Sequence, residues 1–227
     1  MYLYETHLHT APVSACARAS VKESLAFYRQ QGYAGVFITD HFIDGNINID
    51  RKAPFEERIE FYFSSYEEGL REGKGLGLQV FSGVEMSYRG TDFLIYGLDK
   101  AWYLSHPEIQ FLPKSTLLQN LQKEGALVIQ AHPFRRAGYI DHIRLFPDVV
   151  HGVETYNACR DSLTNRMAEL YAKEYALIPF AGTDNHVGMA QKKLGGMMTE
   201  TPLKDEKDFV QRVLDGTALP FRREAEK

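Results

Sequence analysis

The sequence predicts one α/β domain built around a largely parallel sheet. Three observations lead there. Seven strand-length apolar runs recur along the chain, amphipathic stretches of helical period separate most of them, and several runs are apolar almost throughout. Strands covered on both faces have that last property. From pattern alone, an open doubly wound sheet and a closed barrel both satisfy these observations.

Taken in order, the strand runs are YLYE at Tyr2, GVFIT at Gly35, LQVFS at Leu78, DFLIYG at Asp92, ALVIQ at Ala126, GVETY at Gly152 and LIPFAG at Leu177. Each is rich in β-branched or aromatic residues, which suit a pleated, covered surface. The first helix opens at Ser20-Val-Lys-Glu23, a capping-box spacing, carries Val21, Leu25 and Tyr28 on one face and stops at Gly32. A second spans 55–70, with Phe55, Ile59, Tyr62 and Tyr66 at helical spacing. A third carries Leu117, Leu118 and Leu121, a fourth spans 161–175, and the last carries Phe209, Val210 and Val213 before Gly216. Between Glu85 and Asp92 there is room only for a tight turn, so that connection is a hairpin return and the sheet is not wholly parallel. The glycine-rich run Gly73-Lys-Gly-Leu-Gly77 precedes a strand, and a turn is expected there rather than a phosphate loop.

Composition narrows the function classes. The 227 residues are 44% hydrophobic, which excludes a disordered chain, and no run approaches the ~18 apolar residues of a membrane span. Twenty-six basic against thirty acidic residues give a net charge of −4, which argues against long nucleic acid as a partner. Two cysteines, Cys16 and Cys159, make no disulfide framework, and the N-terminus MYLYETHLHT lacks a secretory pattern. A cytoplasmic location is therefore expected. No linker composition divides the chain, so a single domain over 1–221 is expected, followed by a polar, frayed tail over 222–227.

The histidines carry the functional signal. Five of the eight fall just after expected strands, beside carboxylates: His7 and His9 in Thr-His-Leu-His-Thr, His41 in Thr-Asp-His, His132 in Ala-His-Pro, and His186 in Thr-Asp-Asn-His with Asp184. Glu85 ends the third strand in the same way. In a parallel α/β fold the carboxyl ends of the strands share one face, and residues i and i+2 of an extended segment point the same way. Five imidazoles and two carboxylates, with Asp40 next in line, exceed one four-coordinate ion and suit two or three; the donor set admits Zn, Mn or Fe. His106, His142 and His151 fall in turns and loops and are expected at the surface or in caps.

These motifs, with Ala-His-Pro-Phe-Arg at 131–135 and Gly-Val-Glu-x-Tyr-Asn at 152–157, resemble the PHP (polymerase and histidinol phosphatase) superfamily of metal-dependent phosphoesterases, from His7 to about Gly195. The resemblance implies a distorted (β/α)7 TIM-like barrel with a two- or three-metal centre at the strand carboxyl ends. Its members often carry a further His or Asp shortly after the His-x-His pair. Here 10–22 contains neither, and Cys16 stands in that stretch, either as a soft replacement ligand or, the favoured reading, as an ordinary buried thiol.

The chemistry expected is hydrolysis of a small phosphomonoester. Paired cations can share a bridging water and lower its pKa enough to hold hydroxide at neutral pH. Glu85 and Asp184 are the expected catalytic carboxylates, and Asp40 is expected to support a ligand from behind. Arg135, Arg160 and Asn157 are expected to bind substrate, with Arg18 a weaker candidate; a guanidinium fork pairs two phosphoryl oxygens at once. The rivals are an exonuclease or phosphodiesterase acting on short nucleic acid or nucleotide ends, a catalytically silent metal-binding module, and, ranked last, amidohydrolase-type C–N hydrolysis.

Overall fold

A computed structural model describes residues 1–226. Among the described residues the seven expected strands are present: β1 (Tyr2–Leu8), β2 (Gly35–Ile38), β3 (Gln79–Tyr88), β4 (Thr91–Tyr96), β5 (Leu127–Ala131), β6 (Gly152–Asn157) and β7 (Ile178–Gly182), followed by β8 (Lys193–Thr199) and β9 (Leu219–Glu224). The helices are α1 (Val21–Gln30), α2 (Phe55–Leu76), α3 (Lys100–Ser105), α4 (Lys114–Lys123), α5 (Ser162–Glu174) and α6 (Glu206–Leu214). None of them is long and apolar enough to cross a membrane.

The strands form one sheet in the order β7-β6-β5-β4-β3-β2-β1-β8-β9. It is nearly closed. The Asp184 N–H donates to the His7 carbonyl at 2.8 Å, the His9 N–H donates to the Asn185 carbonyl at 3.0 Å, and a single parallel bridge joins Leu8 to Asn185. The hairpin expected after Glu85 is real: β3 and β4 pair antiparallel through the two-residue turn Arg89-Gly90, both at positive φ. Because β4 runs backwards, its first residues, not its last, share a face with the carboxyl ends of β1, β2, β3, β5, β6 and β7. Asp92, opposite Ala131, is thereby carried to that face.

The opposite end is plugged. Phe209 of α6 is fully buried and meets Phe37 at 4.3 Å between ring centroids and Tyr96 at 5.4 Å. Phe180 and Met197 complete this interior cluster. Burying each such side chain stabilises the fold by about 1.5–3 kcal/mol. A separate core of Phe42, Ile59, Phe63, Tyr103 and Leu118 lies beneath α2 and α4.

Two expectations are corrected and one strand is added. The tail over 222–227 is not frayed throughout: β9 continues to Glu224, paired antiparallel with Lys193 of β8, while Arg222 and Arg223 lie over the rings of Tyr156 and Tyr33. The added strand KLGGMMT carries little sequence signal because two glycines and two methionines dilute its strand propensity. The run 73–77 is the last turn of α2, not a turn before a strand; the helix ends only at Gly77, whose φ of 62° is the left-handed conformation that closes helices.

Candidate metal centre

Strand alternation builds the centre from β1 outwards. Glu5, His7 and His9 recur at every second residue and all are fully buried. His7 donates from Nδ1 to Glu154 Oε1 at 2.9 Å. His9 donates from Nδ1 to Ser14 Oγ at 3.1 Å, and Ser14 passes its own proton to Asp40 Oδ1 at 2.6 Å. His186 donates from Nδ1 to the Asp184 carbonyl at 2.9 Å. Each of these bonds fixes a tautomer and turns the Nε2 lone pair away from its support. Asp40 also accepts from the Thr10 N–H and hydroxyl, and through Ser14 it stands behind His9.

The other ligands close on the same point. Glu85 Oε1 lies 3.2 Å from both His7 Nε2 and His132 Nε2; its Oε2 lies 2.7 Å from His41 Nδ1 and 3.4 Å from His9 Nε2. Asp184 Oδ1 lies 3.4 Å from His9 Nε2 and 3.6 Å from His7 Nε2. Three groups of potential ligand atoms result, each within 4.8 Å: His7 with Glu85 and His132, His7 with His9 and Asp184, and His9 with His41 and His186. All seven expected ligands are brought together. Two of them, His132 (φ 26°) and Asp184 (φ 61°), hold the left-handed backbone region that non-glycine residues avoid, a strain typical of functional positions. Packing behind the ligands is tight: a Cβ on Gly182 would fall 2.5 Å from the His7 Cβ and 2.7 Å from Glu154 Oε1.

The electrostatics favour cations. Burial pushes the carboxyls of Glu85 and Asp184 up, but the surrounding histidines outweigh it and hold both well below the usual range. Burial pulls His7 down, yet Glu154, Asp184 and Glu85 raise it well above its ordinary value; His9 goes the other way, lowered by burial and by its neighbours His186 and His41. Two observations test whether the residues fit metal ions. His7 Nε2 and His9 Nε2 face each other at 3.1 Å with both Nδ1 protons committed elsewhere, so a proton or a cation must lie between them. Glu85 Oε2 and His41 Nδ1 are buried without a hydrogen-bond partner although 2.7 Å apart, being out of line for one. The donor set fits divalent ions.

The cluster opens into a cavity of about 540 Å³. Arg135 and Arg160 both line it, as expected. Arg160 Nη2 donates to Asp184 Oδ2 at 2.8 Å and Arg135 Nη2 to Asp92 Oδ2 at 2.9 Å, and the Nε of each is buried and unpartnered. Asn157 is not placed as expected. It is fully buried behind the cavity, where Nδ2 donates to Glu154 Oε2 at 2.8 Å and to Asp184 Oδ2 at 3.2 Å while Oδ1 accepts from the Cys159 N–H. It orients carboxylates and has no donor left for substrate. Arg18 is exposed and outside the cavity. His106 stacks on Trp102 at 4.1 Å, and His151 accepts from the Val128 N–H, both away from the ligands.

Four supporting residues were not singled out from sequence. Glu154 anchors His7 and, through Oε2, the His132 N–H at 3.0 Å. Glu5 accepts the N–H groups of Thr6, His7 and Thr183 and is pushed up to about 7 by burial. Asp92 holds Arg135, and Ser14 holds His9. The signals were present: Glu5 stands two residues before His7, and Glu154 lies inside the Gly-Val-Glu-x-Tyr-Asn motif. Cys16, favoured as a buried thiol, is instead exposed, with Sγ 3.2 Å from His41 Nε2.

No family model and no curated protein matches the sequence. Solved structures do. A two-domain protein from Bacteroides vulgatus containing a predicted PHP-like metal-dependent phosphoesterase aligns with 97% of this chain at 12% identity and a TM-score of 0.72; this chain spans 64% of its length. A Bifidobacterium adolescentis protein assigned as a metal-dependent phosphoesterase aligns over 93% of this chain and 95% of its own, at 13% identity and a TM-score of 0.58. An amidohydrolase from Chromobacterium violaceum, solved with sulfate and no metal, aligns over 95% of this chain and 97% of its own, at 12% identity and a TM-score of 0.54. At these identities the likeness shows the fold: a mixed α/β, nearly closed barrel of the kind found in PHP-like proteins.

Proposed function

We propose that this chain is a metal-dependent phosphoesterase that hydrolyses a small phosphomonoester. One observation carries the proposal: seven candidate ligand side chains form one cluster, five of them (His41, Glu85, His132, Asp184 and His186) on the wall of a cavity that Arg135 and Arg160 also line, with His7 and His9 buried behind it. The ligands His7, His9, His41, Glu85, His132, Asp184 and His186 suit two or three divalent ions, Zn, Mn or Fe. Such ions, when bound, supply Lewis acidity toward phosphoryl oxygens and lower the pKa of a water.

The chain's own residues do the rest. Glu85 and Asp184 stay deprotonated, and each turns its two oxygens toward different imidazoles, so they are the proposed catalytic carboxylates. Ser14, Glu154 and the Asp184 carbonyl keep the Nε2 lone pairs of His9, His7 and His186 directed inward. Arg135 and Arg160 exchange part of their pairing with Asp92 and Asp184 for phosphoryl oxygens. A neighbouring cavity of about 630 Å³, lined by Phe42, Tyr88, Leu112 and Phe146, shares Asp44 and Ser87 with the first and offers room for the organic half of a substrate.

The amidohydrolase neighbour makes C–N hydrolysis the second reading, and the paired arginines favour phosphate over it. The test is a panel of monoesters, diesters and cyclic amides offered to the Zn- and Mn-loaded protein. Phosphate release from a monoester, lost in Asp184→Ala, is expected. Release of amine alone, or of nothing from a protein shown to hold its ions, overturns the proposal.

A further inference from the structure

We propose that the cavity adjoining the metal centre is an anion subsite, and that the substrate is a phosphomonoester whose aromatic or apolar body carries a carboxylate at its far end. The proposal rests on the phosphoesterase reading above and deepens it by naming the substrate class. It starts from two arginines that the metal centre leaves unused. Arg51 and Arg58 both line the adjoining cavity, and neither pairs with a carboxylate among the described residues. Arg51 Nη2 donates to the Gly45 carbonyl at 2.9 Å, and Gly45 is itself on the wall of the metal-centre cavity. Arg58 Nε donates to the Ala53 carbonyl at 3.1 Å, its Nη2 donates to Gln110 Oε1, and its guanidinium stands 6.0 Å from the centre of the Phe55 ring. Neutral partners orient a guanidinium without cancelling its charge. Arg135 and Arg160, tied to Asp92 and Asp184, are the contrast.

The rest of the wall agrees. Asp44 is the one carboxylate lining this cavity, and it is already engaged: Oδ2 accepts from Lys114 Nζ at 2.7 Å and Oδ1 from the Ser87 N–H at 3.0 Å. Asp44 and Ser87 line both cavities, so one molecule can lie across them, its reacting end at the metal ligands and its other end among the arginines. The first turn of α4, whose Lys114 and Ser115 line the cavity, holds no acidic residue, so no carboxylate there offsets the positive field. Much of the remaining wall is apolar, with Phe42, Tyr88 and Phe146. The Phe111 ring on the same wall is 82% exposed, an apolar surface for a ring or chain of the substrate to cover. A guanidinium fork matches the two oxygens of a carboxylate. A carboxylate also keeps the two ends of the substrate distinct: it carries less charge than a phosphate, so the phosphate is the end that divalent ions hold.

The experiment uses the full Mn-loaded chain and aryl phosphates built on phenyl, naphthyl and biphenyl bodies. Each bears a carboxylate opposite the phosphate, or the neutral carboxamide in its place. For at least one body the carboxylate is expected to exceed its carboxamide in kcat/KM by about 10–100-fold, the effect of a charge-assisted hydrogen bond. Arg58→Gln and Arg51→Gln are expected to bring that ratio toward one. Arg58→Lys, which keeps the charge without the fork, is expected to retain part of it. A general loss of fold lowers both rates and leaves their ratio, so the ratio reads the subsite. As a second readout, the phosphate-free hydroxyaryl carboxylate is titrated into chelated protein and followed by ligand-observed NMR, with binding expected to weaken about tenfold in Arg58→Gln. A ratio near one for every body, or one that both Arg→Gln variants leave unchanged, overturns the subsite while leaving the phosphoesterase reading intact. Arginine-dependent binding of the carboxylate with no phosphate released from any ester overturns the phosphoesterase reading and leaves the anion site standing.

Discussion

Glu154→Gln tests how the support behind the ligands sets metal affinity. Glu154 accepts three hydrogen bonds: His7 Nδ1 on Oε1, and the His132 N–H and Asn157 Nδ2 on Oε2. Glutamine has nearly the same shape but only one oxygen. Placed where Oε2 was, that oxygen satisfies two donors, and the new NH2 then meets the His7 Nδ1 proton head-on. The opposite flip strands two donors and is worse. His7 therefore moves its proton to Nε2, the atom that must offer a lone pair to an ion. Loss of such support weakens metal binding by about 10–100-fold, or about 1.4–2.8 kcal/mol. Competition of the folded variant against a calibrated chelator measures this, with circular dichroism confirming the fold and phosphate release expected to fall in parallel at limiting metal. Wild-type affinity in folded Glu154→Gln would refute the tautomer mechanism.

Other consequences are open to direct measurement. In the metal-free protein His7, His41 and His186 are raised above 6.5, each by carboxylate or thiol neighbours that outweigh burial, whereas burial lowers His9 in the cluster and His151 away from it. Above 6.5 these histidines hold more protons in the folded state than in the unfolded one, less the proton that Cys16, lowered to about 6, gives up, and their stabilisation is lost as pH rises through the folded values. Glu85 and Asp184 are depressed, so their contribution is lost only as pH falls below the ordinary carboxyl values of 4.5 and 3.8. The Tm of chelated protein should peak between these windows, whereas that of Zn-loaded protein should rise with pH as protons stop competing for the ligands; parallel curves with and without chelator would contradict the site. Arg135→Ala should raise KM for a monoester by about 10–100-fold, the worth of a charge-assisted hydrogen bond, with a smaller change in kcat. Arg160→Ala should lower kcat/KM further, because it also removes one of the two donors that hold Asp184 Oδ2. Gly182→Ala forces a Cβ against His7 and Glu154 and should cost about 1–3 kcal/mol in denaturant unfolding, with weakened metal uptake.

Much of this protein is legible in its residues alone. Apolar runs of strand length, helical spacings and the Ser20–Glu23 capping box are local signals, and local backbone preference with solvent exclusion is enough to place all seven expected strands and the five expected helices. The candidate ligand types and their positions at strand ends are equally local, so they are legible without any geometry. Tertiary structure decided what depends on distant segments meeting. Glu154 becomes the support of His7 only because closure of the barrel sets β7, the neighbour of β6, against β1. Asn157 turns inward because two buried carboxylates need its amide protons, and Cys16 reaches His41 because the loop after β1 folds over the mouth. The strand KLGGMMT is a strand only because β1 and β9 flank it with hydrogen-bonding edges. A side chain's chemistry is written at its own position, but its role is set by the partners that long-range packing brings within a few ångströms.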